Sequence, residues 1–336
     1  MNAALRWTRN IALALLVLLL LAAIVLSRLW QDRAPVSDIG WPLATLSRDT
    51  NAAVTVTWFG ISTLLFDDGD TQILIDGTFT RIRLTDLLPL QTIKSDVATI
   101  NYALSKYRID RLAAIVPAHS HFDHAMDIGY IANRTSAVIL GSQSTANIAK
   151  GADVPVNQYQ TLAAGESRQF GNFTITLLAS RHAPIGTDDR AWFPGTIDTP
   201  LRQPAHVSQW REGVAWSILL GHPRGTTLIK GSAGFVEDEL LGVSADVAIL
   251  GIGGLAGLGK QYVNTYWRET VTATGVKRLI AVHFDDFTAP FGEVVLFPKI
   301  ADDVIKAAGW IDDLIAGDEA NVSIELPIFG EPIELY

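Results

Sequence analysis

The sequence predicts an α/β domain behind a single apolar segment at the N-terminus. Sixteen unbroken apolar residues run from Ile11 to Leu26. Further along, an apolar run of buried-strand type at Leu112–Pro117 leads through a histidine-rich turn into a helix-type stretch at Ala125–Ala132. A strand that ends in a ligand-rich loop and feeds a helix is where α/β proteins place their chemistry. The chain of 336 residues is long enough for one large domain of this class.

The N-terminal segment has the features of a membrane anchor. At about 1.5 Å per residue, its apolar run falls slightly short of a hydrocarbon core of about 30 Å. Arg6 and Arg9 precede it, and Trp7 and Trp30 flank it where interfacial tryptophans are expected. The alternative is a cleaved secretory signal, but no small-residue cleavage site is recognisable between the segment and Pro35. We therefore favour an uncleaved anchor.

Positive charge ahead of the segment predicts a cytoplasmic N-terminus with the rest of the chain exported. In a bacterium with two membranes, this is a single-pass inner-membrane protein with its domain in the periplasm, or a periplasmic protein if the signal is cleaved. We predict an anchor helix over residues 1–32, a linker over residues 33–52 and a folded domain over residues 53–336. The linker prediction rests on prolines, glycine and the lack of periodicity.

The composition excludes some classes of protein. A net charge of −9 argues against a nucleic-acid surface, which needs a basic stripe. With no cysteine, the chain has neither disulfides nor thiolate zinc sites. Neither observation predicts an oligomeric state.

Alternating or continuous β-type residues between turn clusters predict the strands. In chain order these are Val54–Phe66, Thr71–Ile75, Leu112–Pro117, Ala137–Leu140, Gln169–Ser180, Val214–Leu220, Thr226–Ile229, Ala245–Leu250 and Arg278–Val282, with Val322–Ile328 as a last strand or extended tail. The predicted helices are Asp96–Tyr107, Ala125–Ala132, Ser142–Lys150, Tyr262–Thr274, Val294–Ala308 and Asp312–Ile315. The long stretch 183–213 shows neither the periodicity of a helix nor that of a strand. A long irregular segment of this kind is typical of a functional lid or binding loop.

Four side chains of metal-ligand type fall within six residues after the strand at Leu112–Pro117. They are His119, His121, Asp123 and His124. His119 and His121 are two residues apart, so in an extended segment both imidazoles leave the backbone on the same side. A catalytic zinc keeps about three protein ligands and one open position. Four such side chains therefore suit two neighbouring ions better than one, although a polar surface turn is the alternative.

The segment His119-Ser120-His121-Phe122-Asp123-His124 resembles the H-x-H-x-D-H signature of the metallo-β-lactamase superfamily. The order of landmarks resembles the group that contains phospholipase-D-type and sugar-lactonase-type hydrolases, whose first hairpin is similar to Thr57–Phe66 followed by Ile73–Phe79. The resemblance extends from Val54 to the C-terminus. It implies a four-layer αββα fold for the domain.

The resemblance also implies a ligand set for two ions. One ion would be held by His119, His121 and His182, the last at the end of a predicted strand. The other would be held by Asp123, His124 and His283. Asp76 ends an early strand. The resemblance implies that its carboxylate supports the metal loop, which is the segment His119–His124, without binding an ion itself. The alternative is that Asp76 is a capping or turn aspartate.

One position departs from the pattern of the family. Where the family has a bridging aspartate between the ions, this chain has Ser232 in Lys230-Gly231-Ser232. Loss of a negative charge between two dications weakens the second site. Either the carboxylate of Asp285 or Asp286 lies near the ions and replaces the missing negative charge, or the protein works with one firmly held ion. We expect two sites of unequal affinity.

The resemblance implies hydrolysis by a metal-bound hydroxide, with one or two ions that are expected to be zinc, although another divalent metal fits the same ligands. Asp123 would orient the nucleophile and shuttle its proton, as the catalytic residue. The expected substrate is a small-molecule or lipid-derived ester or phosphodiester. The alternatives are a lactone or β-lactam hydrolase, and a non-catalytic protein of the same fold, which the serine at position 232 would suggest.

Overall fold

The computed structural model describes residues 3–46, 54–317 and 321–336, with side chains from residue 6 onwards. Short 3-10 turns aside, its elements in chain order are α1 (Ala3–Gln31), β1 (Thr55–Trp58), β2 (Leu64–Asp67), β3 (Gln72–Ile75), α2 (Val97–Lys106), β4 (Leu112–Val116), α3 (Phe122–Ala125), α4 (Ile128–Thr135), β5 (Val138–Gly141), α5 (Gln143–Gly151), β6 (Tyr159–Thr161), β7 (Ser167–Phe170), β8 (Phe173–Ala179), β9 (Trp216–His222), β10 (Gly225–Lys230), β11 (Val247–Gly251), α6 (Leu255–Leu258), α7 (Lys260–Trp267, continued by a π-turn at Arg268–Thr272), β12 (Arg278–Val282), α8 (Val304–Ala316), β13 (Ser323–Glu325) and β14 (Pro332–Glu334).

The strands form two mixed sheets, each of seven strands within the described residues. The first has the order β14-β1-β2-β3-β4-β5-β6 and the second the order β13-β12-β11-β10-β9-β8-β7. In each sheet the strands pair in parallel along one half, from β3 to β6 and from β10 to β13, and antiparallel along the other. The two halves of the domain thus repeat one arrangement, and the predicted α/β class is confirmed.

The two sheets pack face to face, and helices cover their outer sides. Trp58 and Phe66 of the first sheet and Phe173 and Leu228 of the second belong to one buried cluster. A second cluster lies beneath the helices of the first sheet, with α2, α4 and α5 contributing. The central strand β11 is buried along its whole length, as its continuous apolar sequence requires.

The parallel strands fix where the site lies. The segments that follow β3, β4, β10 and β12 leave at the same edge of the sandwich. The segment that follows β8 leaves at this edge too, because β8 and β10 are both antiparallel to β9 and so run in the same direction. We call this the site edge. Every predicted ligand follows the end of one of these strands.

Three predicted elements differ in the structure, and one is the strand predicted at Gln169–Ser180, which is divided between β7 and β8 by a turn at residues 171–172. The strand predicted at Val54–Phe66 is two strands, because the chain turns at residues 60–63 between β1 and β2. The helix predicted at Val294–Ala308 begins only at Val304 and continues to Ala316, which is consistent with Pro298 lying in the extended part.

The described part of the predicted linker is packed rather than free. It contains a short 3-10 helix at Val36–Ile39, and the side chains of Ile39 and Trp41 are buried in the main core. Leu43 forms a bridge to Leu326. Residues 47–52 of that prediction lie outside the described residues. By contrast, the side chains of α1 from Arg6 to Leu29 are exposed, and this helix is long and apolar enough to cross a membrane by length and composition.

Candidate metal centre

The site edge brings three histidines together at the first position. His119 Nε2 lies 3.0 Å from His121 Nδ1. The ring of His182 lies 4.7 Å from that of His119 and 5.0 Å from that of His121, measured between centroids. One ligand atom from each of the three falls within 4.8 Å of the others. These side chains could hold a single divalent ion.

The second position forms around a carboxylate. Asp123 Oδ2 lies 3.4 Å from His124 Nε2 and 3.5 Å from His283 Nε2. His119, Asp123 and His124 also offer ligand atoms within 4.8 Å of one another. His119 therefore stands between the two groups, and His283 joins the second group through Asp123. All six predicted ligands meet at one place, although their roles as ligands stay a prediction.

Several ring nitrogens in this cluster are buried and have no hydrogen-bond partner. They are His119 Nδ1, His121 Nε2, His124 Nε2 and His283 Nδ1. A buried polar atom without a partner is costly unless something else satisfies it. His182 Nδ1 donates to the carbonyl of Ala183 at 2.7 Å, which leaves Nε2 free for an ion. Imidazole nitrogens and one carboxylate are a donor set that suits zinc.

Burial keeps most of these imidazoles neutral. It lowers the pKa of His119 well below the usual value, that of His121 to about 4 and that of His182 to about 3, and neighbouring histidines add to the effect for all three. Neutral imidazole is the form that binds metal. For His124, burial alone would lower the pKa, but the carboxylates of Asp76 and Asp123 outweigh it and raise the pKa to about 10. An ion bound at the second position would therefore displace a proton from His124.

Asp76 is fully buried beneath the metal loop. Its Oδ2 accepts hydrogen bonds from Ser62 Oγ at 2.6 Å and from His124 Nδ1 at 2.9 Å, and its Oδ1 accepts one from the Ala118 amide at 2.7 Å. A carboxylate on the far nitrogen of a histidine fixes the ring and leaves the other nitrogen to the metal. Asp76 has φ 59°, a left-handed backbone that is rare outside glycine. His283 has φ 57° and is also a predicted ligand. Backbone strain of this kind often accompanies functional sites.

Ser232 faces the segment that carries His182. Its Oγ accepts a hydrogen bond from the Ala183 amide at 3.0 Å. Two residues on, Gly234 packs so tightly that a Cβ there would overlap the backbone of Arg181 and His182. The loop after β10 thus holds the His182 segment in place. Ser232 takes part in this contact through its hydroxyl group, and its place at the bridging position stays a prediction.

The two aspartates expected to compensate for Ser232 differ in their contacts. Asp285 is buried and accepts from the Ile61 amide at 2.8 Å, and burial raises its pKa even though Arg81 lies near. The carboxylate of Asp286 binds other residues. Its Oδ2 accepts from Arg33 Nη1 at 2.7 Å, while its Oδ1 accepts from the amide and hydroxyl of Thr288. Of the two, only Asp285 remains a candidate for compensating the missing charge.

The loop at residues 183–213 contributes to one side of the site. The ring of Phe193 lies 6.5 Å from that of His121, and Trp192 next to it is exposed. Trp210 is completely buried and belongs to the core instead of a pocket. The loop therefore borders the metal centre with Trp192 and Phe193 near His121 and with Glu212 beside His182.

Sequence reasoning missed several residues at the site. Ser62 bonds to Asp76, and Glu212 Oε1 accepts from the His182 amide at 3.4 Å. Burial raises the pKa of Glu212. Asp127 ends the histidine-rich turn, and its carboxylate accepts from the amides of Phe79 and Thr80. The position of Asp127 was the one available signal, since the other contacts join residues far apart in sequence.

Comparisons with known proteins identify the family of the chain. Residues 56–275 match the family model described as the metallo-beta-lactamase superfamily. A protein of Heliobacterium modesticaldum named UPF0173 metal-dependent hydrolase is 32% identical over 127 residues, which span 38% of this chain and 44% of the relative's length.

Among solved structures, CmlA, a diiron β-hydroxylase from Streptomyces venezuelae, matches with a TM-score of 0.52 at 11% identity, over 84% of this chain and 54% of that one. A possible metal-dependent hydrolase from Veillonella parvula matches with a TM-score of 0.49 at 17% identity, over 84% of this chain and all of that one. The similarity to CmlA concerns the fold. Since the family match covers well over half of the 336 residues, the chain belongs to the metallo-beta-lactamase superfamily.

Proposed function

We propose that the chain is an exported, membrane-anchored, metal-dependent hydrolase of ester or phosphodiester bonds. The observation that carries this proposal is the convergence of five histidines and Asp123 from three separate stretches of sequence, with several ring nitrogens buried and unpartnered. The similarity to a relative named as a metal-dependent hydrolase supports the reaction class. The proposed substrates are small or lipid-derived molecules.

Divalent ions held by these side chains, with zinc as the expected element, would lower the pKa of bound water and polarise the bond under attack. The chain's own residues supply the remaining requirements. Asp123 is ionised, because the nearby His124 and His283 side chains outweigh its burial and hold its pKa well below the usual value. An ionised carboxylate between two ring nitrogens is oriented to accept a proton from an attacking water and pass it to the leaving oxygen.

The proposed location follows from α1. The most apolar 18 residues within the candidate span Arg6–Gln31 have a mean hydropathy of 2.8, and the charges at Arg6 and Arg9 lie on the N-terminal side of the apolar run. We propose that this helix stays in a bacterial inner membrane and that the domain lies in the periplasm. Exposure of the described side chains from Arg6 to Leu29 supports a helix that packs against lipid instead of the domain.

The test is metal analysis and turnover by the full chain in detergent or lipid nanodiscs. The purified protein is loaded with zinc, manganese or iron and assayed on a phosphodiester, a carboxylic ester, a lactone and a β-lactam. His119→Ala and Asp123→Asn are expected to reduce turnover at least a hundredfold. His222→Asn is the matched control, because His222 lies at a β-turn where its Nδ1 accepts from the Arg224 amide and asparagine can do the same.

The outcome separates the alternatives. Turnover restricted to the lactone or β-lactam would replace the proposed substrate class. Absence of turnover on every ester class with the metal fully bound would favour the non-catalytic alternative. Full activity in both ligand variants would contradict the proposed site itself.

A further inference from the structure

Exposed large apolar side chains occur in three loops that follow strands ending at the site edge. Leu90 is 96% exposed, and Leu84 and Leu88 in the same segment are 43% and 54% exposed. This segment, residues 84–90, follows β3 and we call it the leucine segment. Trp192 is 55% exposed in the loop after β8, and Ile300 is 53% exposed in the loop after β12. Three loops that leave the sheets at the site edge therefore each carry an exposed large apolar side chain.

The leucine segment lies beside the loop that borders the metal centre. Directly after it, Ile93 pairs with Ala205 through backbone hydrogen bonds of 2.8 and 3.0 Å. Ala205 belongs to the loop at residues 183–213, which also carries Trp192. The exposed leucines and the exposed tryptophan thus belong to loops that are joined to each other.

The chain that leaves α1 is bonded to the same edge. Arg33, two residues beyond the end of the helix, donates from Nη1 to Asp286 Oδ2 and to the Leu296 carbonyl, both at 2.7 Å. The Lys299 amide donates to the Asp32 carbonyl at 3.0 Å. Residues 286–299 follow β12, and Asp286 is three positions after His283. Two residues span at most about 7 Å, so the end of α1 lies close to this loop.

A third contact links the leucine segment to this attachment. The Arg81 guanidinium lies 5.6 Å from the ring centroid of Phe291, which belongs to residues 286–299. Arg81 also donates to the carbonyls of Thr78 and Phe59 at 2.7 and 2.6 Å, so its position is well defined. The leucine segment begins three residues later. The exit of the anchor and the residue that leads into the leucine segment, Arg81, therefore both contact one common loop, residues 286–299.

We propose that the site edge lies on the bilayer that holds α1, with the leucine segment and Trp192 inserted at the boundary between headgroups and acyl chains. Exposed apolar groups next to an anchor are expected to enter that boundary, and tryptophan is enriched there. In this orientation the metal centre opens towards the membrane and receives an amphiphilic substrate from it, with the scissile bond near the headgroup. The proposal rests on the anchoring described under the proposed function.

The absence of cysteine from the sequence provides a direct test. Leu90→Cys and Val156→Cys are introduced separately into the full chain and labelled with the same environment-sensitive fluorophore. Val156 is the matched control, because it is 78% exposed and precedes β6 at the opposite edge. Each protein is placed at one chain per nanodisc of phosphatidylcholine and phosphatidylglycerol, with or without nitroxide-labelled lipid.

We expect nitroxide lipid to quench the label at position 90 at least threefold more than the label at position 156. Equal quenching at both positions would overturn the proposal. A label at position 90 that is insensitive to nitroxide lipid and is shielded only when two chains share a disc would also overturn it, in favour of contact between copies of the chain.

A second readout separates this proposal from the proposed function. Leu88→Asp combined with Leu90→Asp is expected to lower turnover of an ester embedded in vesicles at least tenfold, with turnover of a water-soluble ester unchanged and Val156→Asp without effect on either. Equal losses on both substrates would overturn the proposal. The quenching experiment needs no turnover, so a protein inactive on every ester would refute the hydrolase proposal while the membrane orientation was still decided by quenching.

Discussion

Replacing Lys230 by methionine removes a buried cation from the sandwich, at the end of the strand that leads to Ser232. The side chain of Lys230 is 1% exposed, and its Nζ donates to Ser180 Oγ and Ser217 Oγ, both at 2.7 Å. Two neutral hydroxyls do not replace the hydration of an ammonium group. Burial therefore lowers the pKa of Lys230 to about 7, although Glu239 opposes the shift.

The expected free energy follows from this pKa. A shift from the usual 10.5 to about 7, at about 1.36 kcal/mol per unit, amounts to about 5 kcal/mol of destabilisation below pH 7. Between pH 7 and 10.5 the unfolded chain keeps a proton that the folded chain has released, so stability rises with pH in this window. From pH 7 to pH 9 the gain is about 2 kcal/mol.

The measurement is urea unfolding of the detergent-solubilised full chain at pH 7, 8 and 9, with chelator present so that metal release does not contribute. Lys230→Met should lack the gain, so the stability of the native chain relative to this variant should rise by about 2 kcal/mol from pH 7 to pH 9. The control is Lys277→Met, which removes a charge from an exposed side chain. A difference between the native chain and Lys230→Met that stays constant with pH would refute the reasoning.

Four further predictions concern the site. Asp76→Asn keeps the shape of the side chain, and asparagine tolerates the left-handed backbone, but the charge facing His124 is removed. Affinity for the second ion should therefore fall about 10- to 100-fold in a metal titration. Unchanged affinity would contradict the role of Asp76 in holding His124. Because the pKa of His124 is about 10, affinity for that ion should rise roughly tenfold per pH unit from pH 6 to 8, with protons released on binding; a flat profile would show that His124 is not a ligand. Ser232→Ala should cost about 0.5–1.5 kcal/mol of stability through one lost hydrogen bond and leave the number of bound ions unchanged in elemental analysis; loss of one ion would make Ser232 a ligand after all. Gly234→Ala should displace the His182 segment and lower metal affinity at the first position, whereas Gly309→Ala, with open space at its Cβ, should not; equal affinities would show that the close contact is not needed.

Local patterns predicted the parts of the site that are local in sequence. The four side chains from His119 to His124 lie in one turn, so their spacing alone indicated a metal centre. His182 and His283 came from the resemblance to the superfamily, because a single histidine after a strand carries no signal of its own. Ser62 and Glu212 were missed, since Ser62 bonds to Asp76 across 14 positions and Glu212 to His182 across 30 positions of the sequence, and no local pattern marks such contacts.

The errors in the fold have equally specific causes. Residues 33–46 have the prolines and polar residues of a linker, yet Ile39 and Trp41 find partners in the core that no local pattern reveals. The apolar stretch after Val294 suggested a helix despite Pro298, and the helix begins only at Val304. The bond between Arg33 and Asp286 joins residues 253 positions apart, which sequence reasoning cannot foresee.

The proposed ligands come from both halves of the sandwich. His119, His121, Asp123 and His124 follow a strand of the first sheet, whereas His182 and His283 follow strands of the second. An ion bound by both groups would therefore cross-link the two halves of the sandwich. By mass action, the resistance of the protein to proteolysis would then depend on the free metal concentration around it. In a protein that is carried across a membrane before it folds, the ion would bind only after export. The metal supply of the destination compartment would then control how long the molecule survives there.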